Sequence, residues 1–130
     1  MPDGVRWDSE YIPDESQTYM RAHSQYFRGK LLQPGVFRKR DGGMSVDWDK
    51  YSTPEQTRQR CASPPDNAVI RLAVIGVRDI PKLDVEHTPD HTPGLENRAH
   101  SDVLGIPDGG EELTEVRASL VDLAKIVIDL

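Results

Sequence analysis

Ala68-Val-Ile-Arg-Leu-Ala-Val-Ile75 is the strongest apolar run of the chain, broken only by Arg71. Its length and β-branched content predict a strand buried on both faces, and Gly76 closes it. Such a strand needs neighbours, and the residues that follow supply them. Leu83-Asp-Val-Glu-His87 alternates, placing Leu83, Val85 and His87 on one face. Ala99 to Leu104 reads as a further short strand. Between these runs, Val77 to Lys82 suits one helical turn ended by Pro81. Thr88 to Arg98 holds Pro89, Pro93 and Gly94 and reads as a surface loop.

Downstream, Leu113, Val116, Leu120, Leu123, Val127 and Leu130 recur at spacings of three and four. They predict an amphipathic helix over 111–130, with Glu111, Glu112 and Glu115 at its positive N-terminal end. The stripe is expected to pack on the sheet, and it is also the surface offered to a protein partner or to a second copy. Upstream, Met44-Ser-Val-Asp-Trp48 alternates apolar and polar, the pattern of a half-buried strand. Residues 36–40 and 44–48 suit a hairpin across Asp41-Gly42-Gly43. Thr53, Pro54 and Gln56 form a helix start: a cap, proline at the first helical position and a capping-box partner. Tyr19, Met20, His23, Tyr26 and Phe27 recur at helical spacing, so a helix beginning near Asp14 is expected, with a strand as its rival. Residues 1–14 read as a flexible N-terminal arm.

A chain of 130 residues is most simply one domain, here 15–130, able to bury an ordinary core without staples. The expected fold is α+β: a small mixed or antiparallel sheet with a C-terminal amphipathic helix packed on one face. The single cysteine, Cys61, excludes an internal disulfide. No secretory signal and no run of membrane-spanning length is read, so no membrane partner and a cytoplasmic location are expected. Net charge is −6, which argues against bulk binding of nucleic acid. The charge is uneven. Ser16 to Arg40 carries six cations and no acid, whereas Asp79 onward carries twelve acids against four cations. A local nucleic-acid contact at 21–40 therefore stays open. All eight aromatic residues lie within the first 51, so the second half builds its core from aliphatics.

Among groups that carry chemistry, Asp84, Glu86, His87, Asp90, His91, His100 and Asp102 combine imidazoles with carboxylates. The prolines around them forbid the helix that would aim His87 and His91 together, and no metal spacing is met. A solvated acidic loop is the plainer reading, and no metal or cofactor is assigned. Cys61 beside Arg58 and Arg60 lacks a nearby histidine and reads as a structural thiol. Tyr19 to Arg40, basic and aromatic, offers stacking faces and phosphate contacts, against the plainer reading of a solvated basic face. Arg38 or Arg40, Ser45, and His100 beside Asn97 form a set able to hold an anionic or nucleotide ligand, or to act as general acid and base.

Phe37-Arg38, Met44-Ser45-Val46-Asp47, Val74 to Val77, Val85 through Pro89, Asn97 and Ala99-His100 together resemble a pattern in small uncharacterised bacterial proteins. In that group a Phe-Arg and a Leu-Ser-Val precede an apolar strand and a late Asn-x-Ala-His-x-x-Ile stretch. Here Met44 stands at the leucine position. The resemblance implies no reaction; it draws attention to Phe37, Arg38, Ser45, Asn97 and His100. Two functions are therefore expected in competition. The leading one is a protein-interaction module acting through the 111–130 helix. The alternative is an enzyme or binder acting on a nucleotide or RNA, with His100 and Ser45 as catalytic residues and Phe37, Arg38, Arg40 and Asn97 as ligand-binding residues.

Overall fold

The structure, a computed structural model, describes residues 6–60 and 66–130; the Cys61 reading falls outside the described residues. The strands are β1 (Gln17–Ala22), β2 (Phe27–Arg28), β3 (Leu31–Leu32), β4 (Gly43–Trp48), β5 (Ala68–Ala73), β6 (Asp84–His87), β7 (His100–Leu104) and β8 (Lys125–Ile128). The helices are α1 (Pro54–Gln59), α2 (Val74–Asp79) and α3 (Gly110–Leu123). Six strands form one sheet in the order β6-β7-β4-β1-β5-β8, every pairing antiparallel, and β2 and β3 form a separate ribbon. The α+β class stands, with the sheet antiparallel rather than mixed.

The apolar run is divided between two elements. Ala68 to Ala73 is strand, and at Ala73 the chain turns into α2. The turn is possible because the first free amides of that helix find acceptors elsewhere: Val74 donates to the Ser16 carbonyl at 3.0 Å and Ile75 to that of Asp14 at 3.1 Å. The helix expected from Asp14 is instead strand β1. Thr18, Met20 and Ala22 point into the core and Tyr19 and Arg21 point out. A full ladder of pairs to β5 outweighs the helical spacing of the aromatics. The hairpin of 36–40 with 44–48 reduces to one bridge, Arg40 to Gly43, because Pro34–Val36 forms a 3₁₀ turn and β4 pairs with β1 and β7.

The helix start at Thr53 forms as the motif predicts. The Thr53 hydroxyl accepts from the Gln56 amide, and the Gln56 side chain accepts from the Thr53 amide. The C-terminal helix packs on one face of the sheet, with Val116 and Leu120 buried. It ends at Leu123, short of the expected 130. Ala124 is extended, and Lys125-Ile-Val-Ile128 pairs with β5 as an edge strand, where its β-branched residues fit best.

The inner face of the sheet carries Met20, Met44, Val46, Ile70, Leu72, Val85 and Val103, and closes against Phe37, Val77 and α3. At one end of this core Trp48, Tyr51 and His87 pack ring against ring. The segment expected to be an arm lies here from Trp7 onward. Ile12 is 1% exposed, and the Glu10 amide donates to His87 Nδ1 at 3.0 Å. Arg78 of α2 holds the same segment through the Ile12 carbonyl (2.7 Å) and Asp14 (2.8 Å), while also bonding Asp84 (2.8 Å).

The carboxylates in these contacts set a pH response. Hydrogen bonds from Lys50 and then Tyr51 lower the Glu10 pKa, and the bond from Arg78 lowers that of Asp84. Groups lowered on folding stabilise the fold above their unfolded values, and that share is lost as pH falls through the folded ones. Acidification below about pH 4 is thus expected to release residues 6–14 ahead of the sheet. Trp7, stacked on His91 at 5.4 Å, reports this by fluorescence in a Trp48→Phe chain. Trp7 emission that changes only with global unfolding would contradict the expectation.

Candidate functional site

The outer face of the sheet is polar. Alternation along each strand sends Tyr19 and Arg21 of β1, Ser45 and Asp47 of β4, and His100 and Asp102 of β7 to this side. Helix α1 lies against β1 and β5 and forms one wall, and the loop 88–98 forms the other. Between them runs an open cleft of about 690 Å³. Arg40, in the turn before β4, stands at its mouth.

Asp47 organises the floor. It is 5% exposed. Its Oδ2 accepts from Thr57 Oγ1 at 2.8 Å and Arg60 Nη1 at 2.7 Å, and its Oδ1 accepts from Asn97 Nδ2 at 2.9 Å. One carboxylate thus ties α1, β4 and the 88–98 loop together. Arg21 adds a bond to the Thr57 carbonyl at 2.8 Å. Asn97 also orders its own loop, taking the Ala99 amide at 3.0 Å.

Ser45 and His100 are diagonal neighbours across the β4–β7 pair, where Ser45 faces Asp102 and Asp47 faces His100. His100 Nε2 lies 3.1 Å from Ser45 Oγ, and Nδ1 lies 2.8 Å from the Thr88 carbonyl. A carbonyl only accepts, so the proton sits on Nδ1 and Nε2 presents its lone pair to the serine hydroxyl. The Thr88 hydroxyl lies 3.1 Å from the same Nδ1 and donates to Asp102 Oδ2 at 3.0 Å. Asp102 comes this close to β4 because residue 43 is glycine: a Cβ there would sit 2.8 Å from the Asp102 carboxyl carbon.

Of the acids lining the cleft, only Asp47 has an ion-pair partner among the described residues. Asp47 is paired with Arg60. Asp90 bonds Thr92, which lowers its pKa and keeps it ionised. Glu96 lies at the rim. Arg40 is exposed and, among the described residues, has no side-chain hydrogen bond or ion pair, so it is the cation left to face a ligand. Burial, with the charge of Asp49, raises the Tyr19 pKa, so its phenol remains a donor at neutral pH.

Of the residues singled out from sequence, Ser45, His100, Arg40 and Asn97 line this one cleft. Phe37 and Arg38 do not. Phe37 is wholly buried in the core, and Arg38 is exposed and donates to the Tyr26 hydroxyl at 3.0 Å. Neighbours in sequence leave an irregular segment in different directions, so the two were not to be taken as a unit. Tyr19 and Arg21, read only as part of the basic, aromatic segment 19–40, also line the cleft, as do Asp47, Thr57 and Arg60, which the sequence reading did not assign to a site. For Asp47 the signal was present, since the alternation of 44–48 puts it on the face of Ser45.

The metal reading of the His87 and His91 loop finds both rings engaged. His87 lies between the Glu10 amide and the Arg98 carbonyl, and His91 Nε2 accepts from the Trp7 amide at 2.8 Å. Among the described residues no group of three or more His, Cys, Asp or Glu is placed to hold a metal. The stripe of α3 turns to the chain's own core: Val116 and Leu120 are buried, and Leu113, Val121 and Leu123 pack against them. Among the described residues no helix is long and apolar enough to cross a membrane. No family model, curated protein or solved structure matches this chain.

Proposed function

We propose that the outer-face cleft binds a phosphate-bearing ligand of the nucleotide class, and that His100 serves there as general acid and base. The observation that carries this reading is the meeting in one cleft of Ser45, His100 and Arg40, whose side chain is unpaired among the described residues. Arg40 takes the phosphate; a guanidinium suits phosphate through its planar fork of donors. Tyr19 offers an aromatic ring and a hydroxyl donor toward a base or sugar, and residues 94–97 line the same cleft. His100, with its lone pair turned to the cleft, stands next to the bound group. The net charge of −6 disfavours long nucleic acid, so a mononucleotide or a short end fits better than a duplex.

The interaction reading has less to draw on. Most of the stripe that supported it faces the core, and the exposed large apolar residues, among them Tyr11, Leu31, Leu95 and Ile126, lie outside helix α3.

The test is calorimetric titration of the chain with adenosine monophosphate and with inorganic phosphate. Arg40→Glu is expected to weaken nucleotide binding at least about tenfold, the worth of one charge-assisted bond, with thermal stability unchanged because the Arg40 side chain makes no hydrogen bond or ion pair among the described residues and its backbone bridge to Gly43 is kept. Nucleotide binding of equal strength in both proteins would remove Arg40 from the site.

A further inference from the structure

The geometry points to Ser45 as a nucleophile, activated by His100 and attacking the phosphorus of a phosphate ester bound in the cleft. The inference rests on the proposed phosphate site and adds a covalent step to it. Ser45 is exposed, and its hydroxyl is the group facing the free lone pair of His100 at 3.1 Å. A nucleophilic serine needs a base within hydrogen-bond reach and a third group to orient that base. Here the orienting group is Thr88, by its carbonyl at 2.8 Å and its hydroxyl at 3.1 Å. The Thr88 hydroxyl in turn spends its proton on Asp102, so its oxygen is left to accept from Nδ1. The chain Asp102, Thr88, His100, Ser45 therefore runs with one direction of donation. A purely structural Ser–His contact on an exposed face requires neither this polarity nor glycine at position 43 beneath Asp102.

The step balances without a further reactant except water. Ser45 Oγ bonds to phosphorus as its proton passes to His100 Nε2. The bond from phosphorus to the leaving alkoxide breaks, and that oxygen takes the proton from His100. Water then gives a proton to His100 and its oxygen to phosphorus, the Oγ–P bond breaks, and Ser45 regains its proton. The net change is hydrolysis of a phosphodiester to a monoester and an alcohol. Arg40 faces the charge that grows on the phosphoryl oxygens. Thr88 and Asp102 touch no substrate and are positioning residues.

Diisopropyl fluorophosphate tests this directly, since attack by Ser45 expels fluoride and leaves a stable phosphoryl adduct. Mass spectrometry of the whole chain is expected to show one adduct, mapped to Ser45 by digestion and absent in Ser45→Ala. His100→Gln is expected to slow labelling by about 100-fold or more, the usual worth of a general base, with the circular dichroism spectrum retained. Thr88→Val is expected to slow it about tenfold and Thr88→Ser to restore it, a rescue that packing alone does not produce. A folded wild-type chain left unlabelled at Ser45, or labelled equally fast as His100→Gln, overturns the proposal. The titration with adenosine monophosphate separates the two levels: binding without labelling removes the covalent step and leaves the ligand site.

Discussion

Replacing Asp47 with alanine is expected to cost about 2–4 kcal/mol of stability and to abolish ligand binding in the cleft. The carboxylate is buried and accepts three hydrogen bonds, from Thr57, Arg60 and Asn97. Its removal takes away one of the two side-chain partners of Thr57, which is 1% exposed and keeps only Ser52 Oγ at 2.8 Å, and frees the amide of Asn97. Arg60 contributes less, because its side chain is 30% exposed and can turn to water. Functionally, α1 and the 88–98 loop lose the group that joins them, so the two walls separate. Asp47→Asn keeps the shape but brings an amide NH₂ against donors, and is expected to cost less than half as much. Urea denaturation of the two variants provides the comparison. An alanine variant as stable as the parent would show that the network is decoration on the sheet.

Gly105→Ala is expected to be harsher still, at least about 4 kcal/mol, enough to unfold many small domains. Gly105 follows β7 with φ of 90°, and a Cβ there would lie 1.9 Å from the carbonyl oxygen of Lys82. That oxygen is backbone in the turn just before β6 and cannot swing away as a side chain does. The clash would part β6 from β7, the strand that holds His100. Gly42→Ala is the matched control. It shares φ of 90° but has nothing within 4 Å of the added carbon, so only the conformational cost of about 1–2 kcal/mol remains. Equal losses at both positions would mean that backbone conformation, and not the contact with Lys82, decides the effect.

Much of this site was legible in the sequence, and the gaps have physical causes. The alternation of Met44 to Trp48 placed Ser45 on an outward face, and Asn97 to His100 stood beside a strand. Those two stretches pair directly as β4 and β7. Strand β1 was hidden because Tyr19, Met20, His23, Tyr26 and Phe27 recur at helical spacing, while its true alternation lasts only six residues. With β1 read as a helix, Tyr19 and Arg21 had no route to the cleft. The helix stripe was overrun at Leu123 because Val127 and Leu130 continue its spacing by coincidence. The β-branched run Ile126-Val-Ile128 carried the contrary signal. The docking of residues 6–14 was not readable locally, because it depends on Arg78 and His87, partners more than sixty residues away.

Amide chemical-shift mapping by NMR, with adenosine monophosphate added to the wild-type chain, decides whether the outer-face cleft takes a nucleotide. Shifts are expected at Tyr19 to Arg21, Arg40, Ser45 to Asp47 and Gly94 to His100, the residues that meet on the outer face. The β2–β3 ribbon and its basic neighbours, Arg28 to Lys39, are expected to stay still. Shifts confined to that ribbon, or none at millimolar nucleotide, would contradict the account and leave the outer-face cleft without the ligand proposed for it.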